Sequence, residues 1–81
     1  MIFSGVRMKE EIIVRDPRIL GGKPVIRGTR ISVDFILRLL ENGWTIEEIC
    51  KEFELKREEV IAAIRFARKL IEAQTVDKFL Q

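Results

Sequence analysis

The run Val33-Asp34-Phe35-Ile36-Leu37-Arg38-Leu39-Leu40 places the tightest constraint on how this chain can fold. Val33, Ile36, Leu37 and Leu40 recur at i, i+3, i+4 and i+7, the spacing of one helix face. Phe35 and Leu39 widen that face until only Asp34, Arg38 and Glu41 remain as a narrow polar stripe. A helix apolar on most of its circumference needs cover on two sides. The chain has 81 residues, enough for one small domain and no second core. A second copy is therefore the expected cover, and the sequence predicts a homodimer.

Local signals frame this helix and two more. Ser32 is a good N-cap, Asp34 sits in the first turn beside the positive helix end, and Asn42-Gly43 supplies the stop. Thr45-x-x-Glu48 is a capping box that opens a short helix at Ile46, with Ile46, Ile49, Cys50 and Phe53 inward. After Glu54-Leu55-Lys56 a third helix starts near Arg57 and runs to about Glu72. Its inner stripe is Val60, Ala63, Ile64, Ala67 and Ile71, with Arg65, Arg68, Lys69 and Glu72 on the opposite side. Residues 73–81 form a tail, with room for one more helical turn, that carries Val76, Phe79 and Leu80.

The N-terminal part reads differently. Residues 1–10 have no period, and the sequence predicts a flexible arm there. Glu11–Arg15 is a short β-prone run ended by Asp16-Pro17, a turn opener. Gly21-Gly22 supplies positive φ, Pro24–Arg27 is a second extended run, and Gly28-Thr29 turns the chain again. Residues 11–31 thus predict two or three short strands. The expected fold is mainly α: a short N-terminal β-hairpin followed by a trihelical helix-turn-helix, within one domain over 11–72.

Composition removes several chemistries. With one cysteine and no histidine, an internal disulfide, a Cys/His zinc site and any Ser-His or Cys-His pair are excluded. A phosphate loop needs glycine five residues before the glycine of Gly22-Lys23, and Ser or Thr after the lysine; Pro17 and Pro24 stand there. Glu47-Glu48 and Glu58-Glu59 sit at helix starts, where acids stabilise the dipole, and Cys50 reads as a small core hydrophobe. No apolar run approaches the roughly 20 residues of a membrane span, and the N-terminus does not resemble a signal peptide. The expectation is a soluble cytoplasmic protein that is not an enzyme and holds no cofactor or metal.

The short helix, three-residue turn and longer helix of residues 45–72 have the shape of a helix-turn-helix. In the DNA-binding version the second helix enters the major groove with its N-terminal residues at the base edges. Lys56, Arg57, Arg65 and Arg68 are the outward basic positions, and Glu58 and Glu59 oppose phosphate. A trihelical core used only for packing explains the same pattern. Residues 1–30 carry net charge +4 and residues 31–81 net −2, so Arg18, Lys23, Arg27 and Arg30 form a second basic set. Arg27 and Arg30 suit phosphate, or acids such as Glu47 across a dimer.

The stretch Asp16-Pro17 … Gly21-Gly22-Lys23-Pro24-Val25-Ile26-Arg27-Gly28-Thr29-Arg30-Ile31-Ser32-Val33 resembles the family named domain of unknown function 433. The resemblance continues through Leu39-Leu40, Gly43, Thr45-x-Glu47-Glu48-Ile49 and Val60-x-x-Ala63-Ile64-x-x-Ala67, covering about residues 12–67. It implies a small trihelical or winged helix-turn-helix preceded by strands. It further implies an antitoxin that represses its own gene and neutralises a toxin resembling a PIN-type ribonuclease. Where that family often has Ser or Thr before the last helix, this chain has Lys56, a poor cap. Val76, Phe79 and Leu80 are the expected partner-binding residues, since apolar groups outside a finished core mark an interface, and a tail that packs back on its own dimer explains them equally well.

Overall fold

The computed structural model describes residues 11–79, and the side chains of residues 11–74. The elements are strand β1 (Ile13–Val14), strand β2 (Val25–Ile26), and helices α1 (Val33–Glu41), α2 (Ile46–Phe53) and α3 (Arg57–Phe79). The fold is mainly α, with a short antiparallel pair ahead of three helices. The arm expected over 1–10 and Leu80 lie outside the described residues, as do the side chains of Val76 and Phe79.

The hairpin is small because its turns carry most of the instruction. β1 pairs antiparallel with β2, Ile13 opposite Ile26 and Val14 opposite Val25. A bridge from Val25 to Ser32 adds a third extended segment on the other side of β2. Gly28 has φ 81°, a conformation that L side chains resist, and it lets the chain reverse between Ile26 and Ile31. Thr29 locks that reversal: its hydroxyl donates to the Ile26 carbonyl at 2.7 Å and accepts from the Ile31 amide at 2.9 Å. Val25 and Ile26 become fully buried, so the two-residue strand acts as a wedge of core.

Helix boundaries fall where the caps require. The Ser32 hydroxyl accepts from the Phe35 amide at 2.9 Å, opening α1. Thr45 and Glu48 exchange both bonds of a capping box, at 2.8 and 3.0 Å, opening α2. Trp44, just before that box, and Ile49, four positions into the helix, occupy the places of a hydrophobic staple, with Ile49 in the core and Trp44 packed against it.

The core joins Ile26, Val33, Ile36, Leu39, Ile49, Leu55, Val60 and Ala63. Helices α2 and α3 both pack on α1, and β1 lies against α3. This arrangement covers more of α1 within one chain than its pattern predicts. Leu37 and Leu40 are half-buried against the core, and Phe35 meets Phe53 edge-to-face with ring centroids 5.4 Å apart.

Helix α3 departs from expectation in two ways. It continues past Glu72 to Phe79, because no glycine or proline intervenes to stop it. Ile71, expected on the inner stripe, is 61 % exposed, and Leu70 is 46 % exposed. Among the described side chains, the core extends along α3 as far as Phe66 and Ala67. Beyond them the helical period persists, but α1, which spans 9 residues, and α2, which spans 8, are too short to face a helix of 23. No helix among the described residues is long and apolar enough to cross a membrane.

Candidate functional site

The turn between α2 and α3 organises the candidate site. Glu54 ends α2 in the left-handed region, at φ 55° and ψ 47°, with its amide bonded to the Cys50 carbonyl. That conformation redirects the chain at once and is unusual for a residue with a Cβ. Leu55 follows and is buried, pinning the turn to the core. Its amide also donates to the Cys50 carbonyl, at 3.0 Å.

Lys56 then occupies the N-cap position of α3 without a capping side chain. The deficit is met from the other direction: the Glu59 carboxylate accepts from the Lys56 amide at 2.8 Å. This is half of a capping box, and the short spacing Lys56-x-x-Glu59 was its signal in the sequence. Glu59 therefore has a structural task, and the Lys56 ammonium is free to point into solvent.

The four predicted DNA-contact residues are all exposed, in different electrostatic settings. Arg57 pairs with Glu47 of α2 at 3.0 Å, an ion pair that ties the two helices across the turn. Arg57 and Arg65 line one shallow depression with Glu58, Ile61 and Ile12. Lys56 shares another with Arg27, Glu11, Ile12, Glu58 and Glu59, so two cations there meet three acids. Arg68 pairs with Glu72 at 3.3 Å, one turn along α3.

The second basic set is dispersed. Arg18 forms a forked pair with the Asp16 carboxylate, at 2.9 and 3.0 Å. The Arg18 guanidinium, and after it the Arg18 amide, hold Asp16 below the ordinary carboxylate value, and Asp16 raises Arg18 in return. Arg27 donates to the Glu11 carbonyl and so fastens the start of β1. Lys23 and Arg30 are exposed, and among the described residues neither makes an ion pair. Glu47, weighed above as a partner for Arg27 or Arg30, is engaged by Arg57 of its own chain.

Two features went unread in the sequence. Phe66 belongs to the face of α3 that meets β1, and the Arg15 guanidinium lies 5.6 Å from the centre of its ring, a cation–π contact. Trp44, Phe53 and Phe35 form an aromatic row, with Trp44 and Phe53 centroids 6.1 Å apart. Among the described residues, no group of three or more acidic or sulfur side chains is placed to hold a metal ion.

Three comparisons with known proteins bear on this geometry. A model of the family described as "Protein of unknown function (DUF433)" matches residues 13–67. The comparison with curated proteins finds no match. Among solved structures, a crystal structure of a DUF433 member protein from Anabaena variabilis is similar, with a TM-score of 0.74 and 26 % identity. The likeness covers 93 % of this chain and 74 % of that one. The matched span runs from β1 through the turn to Ala67, the part of α3 that packs on the core, and the chain belongs to the DUF433 family.

Proposed function

We propose that this chain is a homodimeric, antitoxin-like DNA-binding regulator that also neutralises a small ribonuclease of PIN-like type. The observation that carries the DNA half is the junction of α2 and α3. A short capped helix, a tight turn anchored by Leu55 and a longer helix presenting Lys56 and Arg57 at its exposed start reproduce the parts of a helix-turn-helix. The toxin half is supported by the family resemblance of the GGKPVIRGTRI block. The dimer is supported by large apolar side chains left in solvent, Leu20 at 42 %, Phe35 at 38 % and Leu70 at 46 % exposure.

A second reading, a protein-interaction module without DNA binding, is favoured by charge. Glu47 and Glu72 already neutralise Arg57 and Arg68, and Glu58 and Glu59 stand at the front of α3. Salt separates the two readings. Binding to the DNA upstream of its own gene is expected to weaken steeply with salt, and Arg57→Ala with Arg65→Ala to lower the slope by about 1 for each phosphate contact removed. Salt-independent or absent binding leaves the interaction module. Truncation after Glu72, followed by separate assays of dimerisation, DNA binding and toxin inhibition, assigns the residues beyond it, Val76, Phe79 and Leu80 included.

A further inference from the structure

The cations of this chain are not evenly matched with acids. Arg18, Arg38, Arg57 and Arg68 each hold a carboxylate within 3.3 Å or less. Arg15, Arg65 and Lys69 are also exposed, yet among the described residues none of the three makes an ion pair. Lys23, Arg30 and Lys51 also make no ion pair among the described residues, but Arg15, Arg65 and Lys69 are three that meet at one place, the groove between β1 and α3. That groove, of about 340 Å³, has a floor of Ile12, Ile13, Ala62 and Phe66, with Arg65 and Lys69 among its walls. Arg15 reaches the same spot through its stacking on Phe66. Glu11 is the one acid that lines the groove.

The strand beside the groove is an edge. Among the described residues, β1 pairs only with β2, in a two-stranded sheet. The Arg27 amide bonds to the Ile12 carbonyl, and with Ile13 opposite Ile26 this register turns the Ile13 amide and carbonyl away from β2. An outward backbone edge next to an apolar floor and unmatched cations suits an extended peptide that alternates apolar and acidic residues. A nucleic acid suits it poorly, because bases and phosphates would meet aliphatic side chains and Glu11.

We infer that the groove between β1 and α3 is a docking surface for an acidic, extended segment of a partner protein, with its carboxylates on Arg15, Arg65 and Lys69 and its apolar residues over Ile13 and Phe66. The inference rests on the partner half of the proposed function and shares Arg65 with its DNA half, so its test is read at Arg15 and Lys69.

The test uses the full chain and a short end-capped peptide that alternates Glu with Val. Amide resonances of Ile12, Ile13, Phe66 and Lys69 are expected to shift on titration, and Arg15→Glu together with Lys69→Glu to weaken binding about tenfold. Arg38→Ala, on α1 and outside the lining of the groove, is expected to leave peptide affinity unchanged. A peptide alternating Lys with Val that binds equally well overturns the inference, as do shifts confined to other residues. Displacement of the acidic peptide by duplex DNA assigns the groove to nucleic acid and overturns it also. Peptide binding in a chain that shows no salt-dependent DNA affinity supports the inference while the DNA reading fails.

Discussion

Along α3, the turns that face α1 bury Val60 and Ala63 completely, whereas the turn after Ala67 leaves Leu70 46 % exposed in the same unbroken helix. Both stretches repeat apolar residues at helical spacing. The difference lies in what stands opposite. Val60 and Ala63 share a core with Ile36, Ile49 and Leu55, while among the described side chains the core reaches no further along the helix than Ala67. Periodicity determines that a helix has an apolar face; the length of its neighbours determines how much of that face is covered.

The sharpest way to break this comparison is to truncate one residue in each region. Ile36→Ala empties a fully buried site and is expected to cost about 2–5 kcal/mol. Leu70→Ala is expected to change stability by less than about 0.5 kcal/mol if the distal helix is solvated. Urea unfolding of both variants checks the pair. A cost at Leu70 that approaches the cost at Ile36, and grows with protein concentration, would place that turn in a subunit interface.

Caps provide the next test, because α2 and α3 start by different means. Thr45→Ala removes the side-chain acceptor of a complete capping box and is expected to cost about 1 kcal/mol. Lys56→Ser would add to α3 the acceptor that Glu59 alone does not supply, and is expected to stabilise by a few tenths to about 1 kcal/mol. Thermal melts of the two variants should therefore move in opposite directions.

The turn itself offers a gain of similar size. Glu54 holds a left-handed conformation that costs a residue with a Cβ about 1 kcal/mol relative to glycine. Glu54→Gly is expected to recover much of that, offset in part by the greater freedom of glycine in the unfolded chain. A melt showing destabilisation would mean that the Glu54 side chain does more than tolerate its backbone.

The smallest effect concerns the surface pair at the hairpin. Because Arg18 lowers Asp16 in the folded chain, the pair contributes fully above the ordinary carboxylate value of 3.8 and fades as pH falls through the lowered folded value. A carboxyl titration followed by NMR should place the Asp16 midpoint below 3.8, and Arg18→Ala should raise it.

These contrasts also explain what the amino-acid order made legible. Ser32, Thr45 with Glu48, and Asn42-Gly43 act within four residues of themselves, so the starts and stops of α1 and α2 could be read directly. The hairpin turns were readable for the same reason, since positive φ at Gly21, Gly22 and Gly28 is a local demand. The inward role of Leu55 was hidden because a lone apolar residue in a turn has no period. The exposure of Ile71 was hidden because its period is correct, and period does not report the length of the facing helices. At the candidate site, the outward positions of Lys56, Arg57, Arg65 and Arg68 could be inferred, but not the acids that hold Arg57 and Arg68. The meeting of Arg15 with Phe66 joins parts of the chain 51 residues apart, and no local pattern announces it.

That distant meeting bears on the order of assembly. Helices α1, α2 and α3 are consecutive and joined by short turns, so bringing them together closes only small loops. Laying β1 against α3 closes a loop around nearly the whole helical unit, and it gains just a two-residue strand for that loss of chain freedom. The strand is therefore expected to arrive after the helices have met, and to leave before they part.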